Sequence, residues 1–326
     1  MRRRPTRFRV AVGVAAVVGV SCSTNGTSAT PGVAGFDRAA SGTIAAQVAS
    51  YEPVAAKGQR FLLGMVDDKG SIVGFGTIVM DFAFAGTAEA PIKAPIVTIS
   101  HRATYRLVAG QPPAADDRGP RLIAPSDGLG VYGTTVTFDQ AGYWNVRART
   151  VIDNRAVEAT ATFEVLAKPL NPFPGDPAPR TDNRRYGTPG LPAKAIDSRA
   201  STDGSVPDPE LHSTTIADAI AAGRAVMVVV STPVYCVSRF CGPITDTVQQ
   251  LAKTYGDRMA FVHIEVWNDF EKRALNKEAA EWIYRNGADP KEPWVFLIGR
   301  DGTIVQRWDN VSTDDELRTA VRSIAG

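Results

Sequence analysis

The chain contains only three cysteines and three histidines in 326 residues. Three cysteines close no more than one disulfide, so crosslinking cannot replace a hydrophobic core. Long apolar runs are also lacking. The run at the N-terminus, Val10 to Val20, has eleven residues, against the roughly 20 needed to span a bilayer. Nor is there a clear excess of one charge. The formal net charge is +2, yet five arginines fall in the first nine residues, and from residue 190 onward 15 Lys and Arg face 19 Asp and Glu. A basic footprint for nucleic acid is therefore absent from the C-terminal half. Residues 46–167 carry no histidine cluster or glycine-rich phosphate loop, their adjacent acids such as Asp67-Asp68 read as turn residues, not a catalytic pair, and His101 there reads as an ordinary surface or core histidine.

What is present is an ordinary globular composition, 44% hydrophobic and 21% charged, long enough for two domains with linkers. The N-terminus carries Arg2, Arg3, Arg4, Arg7 and Arg9, then the apolar run, then Val20-Ser21-Cys22 and a polar stretch from Ser23 to Ser28. This order resembles the export signal of a bacterial lipoprotein, although Gly19 stands where that family usually has Leu. The resemblance implies a signal over residues 1–22 and a lipidated Cys22. The mature protein would then be held by its lipid at the extracytoplasmic face of the cell membrane; ordinary cleavage and secretion is the alternative. With Cys22 lipidated, Cys236 and Cys241 remain as one pair in an oxidising compartment, where a disulfide or redox couple is expected.

Residues 23–45 are rich in Ser, Thr, Gly and Ala and read as a flexible tether. Residues 46–167 are strand-like. Arg60 to Val66 and Ser71 to Phe84 flank the turn Asp67-Asp68-Lys69-Gly70, and Val131–Phe138, Gly142–Ile152 and Ala156–Val165 follow, the last two joined at Asp153-Asn154. Trp144, Val146 and Ala148 alternate with Asn145, Arg147 and Arg149, as in an antiparallel sheet with one buried face. The expectation is an antiparallel β-sandwich of immunoglobulin-like type. Nine prolines between Pro169 and Pro209 make residues 168–206 an extended, semi-rigid linker.

Residues 207–326 alternate regularly. Helix is expected over 213–222, 244–255, 270–285 and, behind the capping box Thr313-Asp-Asp-Glu316, to the C-terminus; strand over 225–231, 259–267, 294–298 and 303–308. The segments Leu251-Ala-Lys-Thr-Tyr-Gly-Asp-Arg-Met-Ala-Phe-Val-His-Ile-Glu-Val and Glu292-Pro293-Trp294-Val-Phe-Leu-Ile resemble thioredoxin, and Ser231-Thr-Pro-Val-Tyr-Cys236-Val-Ser-Arg-Phe-Cys241-Gly-Pro resembles a group of exported bacterial thioredoxin-like proteins. The resemblance implies a C-terminal α/β thioredoxin fold, an active-site position for Cys236 and Cys241, and a cis peptide at Pro293 whose flanking backbone lines that site; an ordinary proline opening an edge strand is the bland reading.

Four residues separate the cysteines where thioredoxins have two. One alignment puts Cys241 on the resolving cysteine and Ser238 on the nucleophile; the other puts Cys241 on the nucleophile. The first keeps the helix length. The thiolate is the reactive form, and a helix N-terminus favours it. The resemblance thus implies a thiol–disulfide oxidoreductase acting on exported proteins with thiols or disulfides. No dissociable cofactor is required, because the disulfide is the redox group. Two other readings stay open. One is a non-catalytic envelope binding module pinned by a structural disulfide. The other is copper-site assembly by the two cysteines with His263, which otherwise reads as a satisfied strand histidine. His212, before a helix, is expected to be solvated.

Overall fold

A computed structural model describes residues 44–111, 119–283 and 291–326. Cys22 and the expected signal lie outside these residues, as does the tether apart from its last two positions. The first nine strands are β1 (Ala45–Val48), β2 (Gln59–Val66), β3 (Ile72–Gly74), β4 (Thr77–Gly86), β5 (Val97–Leu107), β6 (Arg121–Ile123), β7 (Gly130–Val136), β8 (Gly142–Ile152) and β9 (Arg155–Val165). They pair antiparallel in the order β6-β3-β2-β7-β5-β4-β8-β9, with β1 also on β2. The expected β-rich half is therefore present, but its strands form one continuous ladder rather than two separate sheets. Phe61 of β2 and Phe163 of β9 are five strands apart in that ladder, yet their rings lie 4.8 Å apart. The sheet must curl over itself to bring them together, enclosing Phe61, Phe82, Phe138, Trp144 and Phe163 in one core. Turn chemistry explains two boundaries. Asp153 and Asn154 both have positive φ, the combination a two-residue hairpin between right-twisted strands requires. Phe75 and Gly76 also have positive φ, and they break the expected strand 71–84 into β3 and β4.

The remaining elements are α1 (Ile216–Ala221), β10 (Val226–Ser231), α2 (Cys241–Tyr255), β11 (Ala260–Glu265), β12 (Trp267–Asp269), β13 (Ala274–Leu275), α3 (Lys277–Ile283), β14 (Trp294–Ile298), β15 (Ile304–Asp309) and α4 (Asp314–Ala325). A four-stranded sheet runs β11-β10-β14-β15. β10 is buried along its whole length, as its valine run demands of a strand with helices on both faces. It pairs parallel with β11 across the α2 connection and antiparallel with β14. α4 opens as expected: the Thr313 side chain accepts from the Glu316 amide, and the Glu316 side chain accepts from the Thr313 amide. The helix expected over 270–285 begins only at Lys277. Residues 267–275 instead form the β12–β13 pair, and Asn276 accepts from the Glu278 amide at the helix start.

The two halves share a core and belong to one compact unit, residues 33–326. Leu62, Val108, Ala109 and Val131 of the β-rich half pack with Val248, Leu251, Leu317 and Val321 of α2 and α4. Around this seam Arg60 and Arg106 both pair with Glu316, and Arg307 pairs with Glu52. The proline-rich segment, which includes the 3₁₀ turn Ala193–Ala195, does not bridge open space but packs on the C-terminal half. Its residues 175–178 bond along β15, through Gly175 N–H to Ile304 O and Ala178 N–H to Gly302 O, both 2.9 Å. Further on, the Trp282 indole donates to Thr181 at 2.9 Å, and Asp197 is fully buried. Proline lacks an N–H but keeps its carbonyl, so such a segment suits the edge of a sheet.

Candidate functional site

Cys236 and Cys241 form a disulfide with Cα atoms 6.0 Å apart. β10 ends at Ser231, and the loop from Thr232 to Phe240 carries Cys236 before α2 begins at Cys241 itself. Arg239, with φ of 64°, turns the chain back so that the loop folds over the helix start. Cys241 is buried, and its carbonyl accepts from Thr245 at 2.8 Å. Cys236 is partly exposed, beside Val237, which is 94% exposed. The sequence places Cys241 in the positive end of α2, and it is the first helical residue. Yet the Cys241 amide points at the other sulfur: its N–H donates to Cys236 Sγ at 3.4 Å, and Ser238 Oγ lies 3.2 Å from the same sulfur. A thiolate on Cys236 would therefore receive the helix-terminal amide and a hydroxyl.

The Glu292–Pro293 peptide is cis, and it brings Glu292 to the cysteines: both sulfurs and a Glu292 carboxylate oxygen lie within 4.8 Å of one another. Pro293, Cys236 and Cys241 are thus gathered at one place. Burial pushes the Glu292 carboxyl up to about 7, with the nearby Glu265 charge adding to the effect. Glu265, at the end of β11, is itself raised by burial, although the Ser198 and Trp267 amides donate to it at 2.8 and 3.2 Å. No local pattern marks these two acids in the sequence. Their role at the site comes from the register of β11 against β10, which sets Glu265 opposite Ser231, and from the cis turn.

A third residue comes from the other half of the chain. The Tyr51 hydroxyl lies 2.7 Å from the Glu292 carbonyl and 2.8 Å from Asn310 Oδ1, and it also interacts with Ser238. Burial first, then the charges of Asp309 and Glu292, hold its phenol well above the ordinary tyrosine range. The carbonyl that precedes Pro293 is therefore already engaged by Tyr51. Beside the loop, Tyr235 stacks on Phe270 with centroids 3.9 Å apart, and Val234, Val237 and Phe270 are exposed.

His263 is buried in β11 as a strand histidine, but it does not join the cysteines; it lies with Asp197, Asp208 and His212. His212, expected to be solvated, is fully buried, because Asp197 from the proline-rich segment and Asp208, just before the 209–212 turn, close over it. His101 lies on β5, half-buried. A cleft of about 670 Å³ opens elsewhere, lined by Tyr105, Asp314 and Arg318 among others, and contains none of the cysteine-site residues.

No protein-family model and no curated protein matches the chain. Two solved structures are similar over part of it. BslA, a bacterial hydrophobin, is 13% identical, covering 39% of this chain and 94% of its own, with a TM-score of 0.20. A conjugative transposon lipoprotein from Bacteroides eggerthii is 14% identical, covering 38% of this chain and 98% of its own, with a TM-score of 0.18. Likenesses this distant carry no conclusion about the fold or activity of this chain.

Proposed function

We propose that this is a membrane-anchored, extracytoplasmic thiol–disulfide oxidoreductase with a sandwich-like β half and a thioredoxin-like C-terminal half, acting on exported proteins. The observation that carries the reading is the disulfide seated at the start of α2 with the Glu292 carboxylate beside both sulfurs. The order β-α-β-β around a central buried strand, with the cysteines between strand and helix, supports the thioredoxin-like part. Exposed apolar side chains beside Cys236 supply a surface against which a partner chain could pack.

The two cysteines take different parts. A substrate thiolate attacks Cys236 Sγ, the accessible sulfur; the disulfide opens and Cys241 leaves as a thiolate. A second substrate thiolate then attacks the substrate sulfur of the mixed disulfide and expels Cys236. The substrate is oxidised to a disulfide by two electrons, and the protein is reduced to its dithiol. In the reverse direction Cys236, held as thiolate by the Cys241 amide and Ser238, attacks a substrate disulfide, and Cys241 resolves. Glu292, ionising near neutrality, is placed to exchange a proton with the Cys241 sulfur.

Cysteine variants in the native envelope test this. Cys241→Ser should accumulate mixed disulfides through Cys236, whereas Cys236→Ser should trap none. If neither variant traps a partner and both lose equal stability, towards the low end of the roughly 2–4 kcal/mol typical of disulfides, the bridge is structural and the redox reading fails. A pair potential below about −300 mV would say the same.

A further inference from the structure

A second buried cluster contains neither cysteine and is used by nothing above. We propose that Asp197, Asp208, His212 and His263 form a binding site for one divalent cation of the zinc type.

The four side chains are fully buried and reach one point from three separate parts of the chain: the proline-rich segment, the turn at 209–212 and β11. One ligand atom from each lies within 4.8 Å of all the others. His212 Nε2 is 3.3 Å from Asp208 Oδ1 and 3.9 Å from Asp197 Oδ2. His263 Nδ1 is 3.4 Å from Asp197 Oδ2 and 3.9 Å from Asp208 Oδ2. Charge-assisted hydrogen bonds are shorter, about 2.7–2.9 Å. Asp208 Oδ1, His212 Nε2 and His263 Nδ1 in fact make no hydrogen bond to any described residue. A cation bound tetrahedrally at about 2.0–2.1 Å sets its ligand atoms about 3.3–3.4 Å apart, which is the shorter spacing found here.

The tautomer of His263 follows from its other nitrogen. Thr245 donates its hydroxyl to the Cys241 carbonyl, so it must accept from Ser231, 2.7 Å away. Ser231 Oγ has then used its proton and accepts from His263 Nε2 at 3.1 Å. His263 Nδ1 is left facing the Asp197 carboxylate, 3.4 Å from Asp197 Oδ2. Two imidazoles and two carboxylates thus converge in a buried site with Asp208 Oδ1, His212 Nε2 and His263 Nδ1 unsatisfied by any described residue, the setting that a bound cation would complete. Arg199 supplies only one positive charge against two carboxylates. It lies outside the four atoms, donating to Asp197 at 2.7 Å and Asp208 at 2.5 Å through one nitrogen. Oriented ligands of this kind, with Ser231 behind one histidine and Arg199 behind both carboxylates, are typical of metal sites. Two imidazoles and two carboxylates suit zinc better than calcium or magnesium, which prefer all-oxygen shells.

The test uses the mature, oxidised chain, so that no free thiol competes. Dialysis against Zn²⁺, then metal analysis, should find one equivalent per chain. His212→Gln should lose it, while the Cys236→Ser/Cys241→Ser double variant should keep it. Because His212→Gln removes a buried group and could unfold the protein, the wild-type chain loaded with Co²⁺ gives an independent reading. Its visible spectrum should show intense tetrahedral bands without the thiolate charge-transfer band. No retained zinc, an unchanged stoichiometry in a folded His212→Gln variant, loss in the double cysteine variant, or a weak octahedral Co²⁺ spectrum would each overturn the assignment.

Discussion

Glu292→Gln should make the oxidised protein more stable at alkaline pH and leave it unchanged at acid pH. The folded carboxyl ionises at about 7, against an ordinary 4.5. Between these values the folded chain holds a proton that the unfolded chain has released, so stability falls as pH rises through that window and the whole cost is present above it. A shift of about 2.5 units at about 1.36 kcal/mol each gives about 3 kcal/mol, an upper bound for a group that keeps some contact with water. Glutamine keeps the shape and cannot ionise, so it removes this term and little else. Guanidinium melts of wild type and variant at pH 4, 5.5, 7 and 8.5 would measure it, with the disulfide closed throughout. The difference should be near zero at the acid end, grow across the window and level off above it. A difference independent of pH, or one that favours wild type at alkaline pH, would refute the placement of Glu292 in a buried site beside Glu265. If the same carboxyl serves the exchange reaction, the variant should also lose the rate inflection near neutrality, with a rate loss of up to about 100-fold, the low end for general acid–base catalysis.

Two other substitutions test the frame of the site. Tyr51→Phe leaves the Glu292 carbonyl and Asn310 Oδ1 without their shared donor, and should cost about 1–3 kcal/mol in denaturant melts; no loss would mean that water replaces the hydroxyl freely. Cys22→Ser should shift the protein from the membrane fraction to the soluble extracytoplasmic fraction, and mass spectrometry of the wild type should find a diacylglyceryl group on Cys22; a free Cys22 thiol in a secreted chain would end the lipoprotein reading.

Local sequence signals proved reliable where one segment decides its own structure. The Thr313–Glu316 capping box, the Asp153-Asn154 hairpin and the buried valine strand β10 all stand where their residue patterns put them. The failures share a cause, which is tertiary contact. Residues 270–276 have helical spacing, but Phe270 leaves it to stack on Tyr235, and Arg273 takes a positive φ. β5 gave no usable signal because most of its residues are exposed or half-buried. The cysteine pair and the cis proline were legible from their resemblance to a family pattern. Tyr51 was not, since it meets Glu292 across 241 positions of sequence. His212 is buried in part for the same reason: Asp208 lies only four residues before it, but Asp197, fifteen residues away, also folds over it.

These long-range contacts change how the proline-rich segment should be understood. Asp197 enters the buried cluster, while its neighbour Ser198 accepts from the Val234 amide of the cysteine loop at 3.2 Å and donates its own amide to Glu265 at the end of β11. On the other side, hydrogen bonds run from His263 through Ser231 and Thr245 to the carbonyl of Cys241. The cluster thus holds both ends of the loop that carries the disulfide: its entry through Ser198, and the first turn of α2 through Thr245. Four residues separate the two cysteines, and the loop that carries Cys236 is fixed by contacts besides the disulfide. A longer loop loses more conformational entropy when it is fixed, and helix capping alone does not hold it, because Phe240 at the helix start offers no side-chain acceptor. Order in the loop that carries the disulfide therefore comes in part from Ser198 and from the cluster beside it, outside the loop itself.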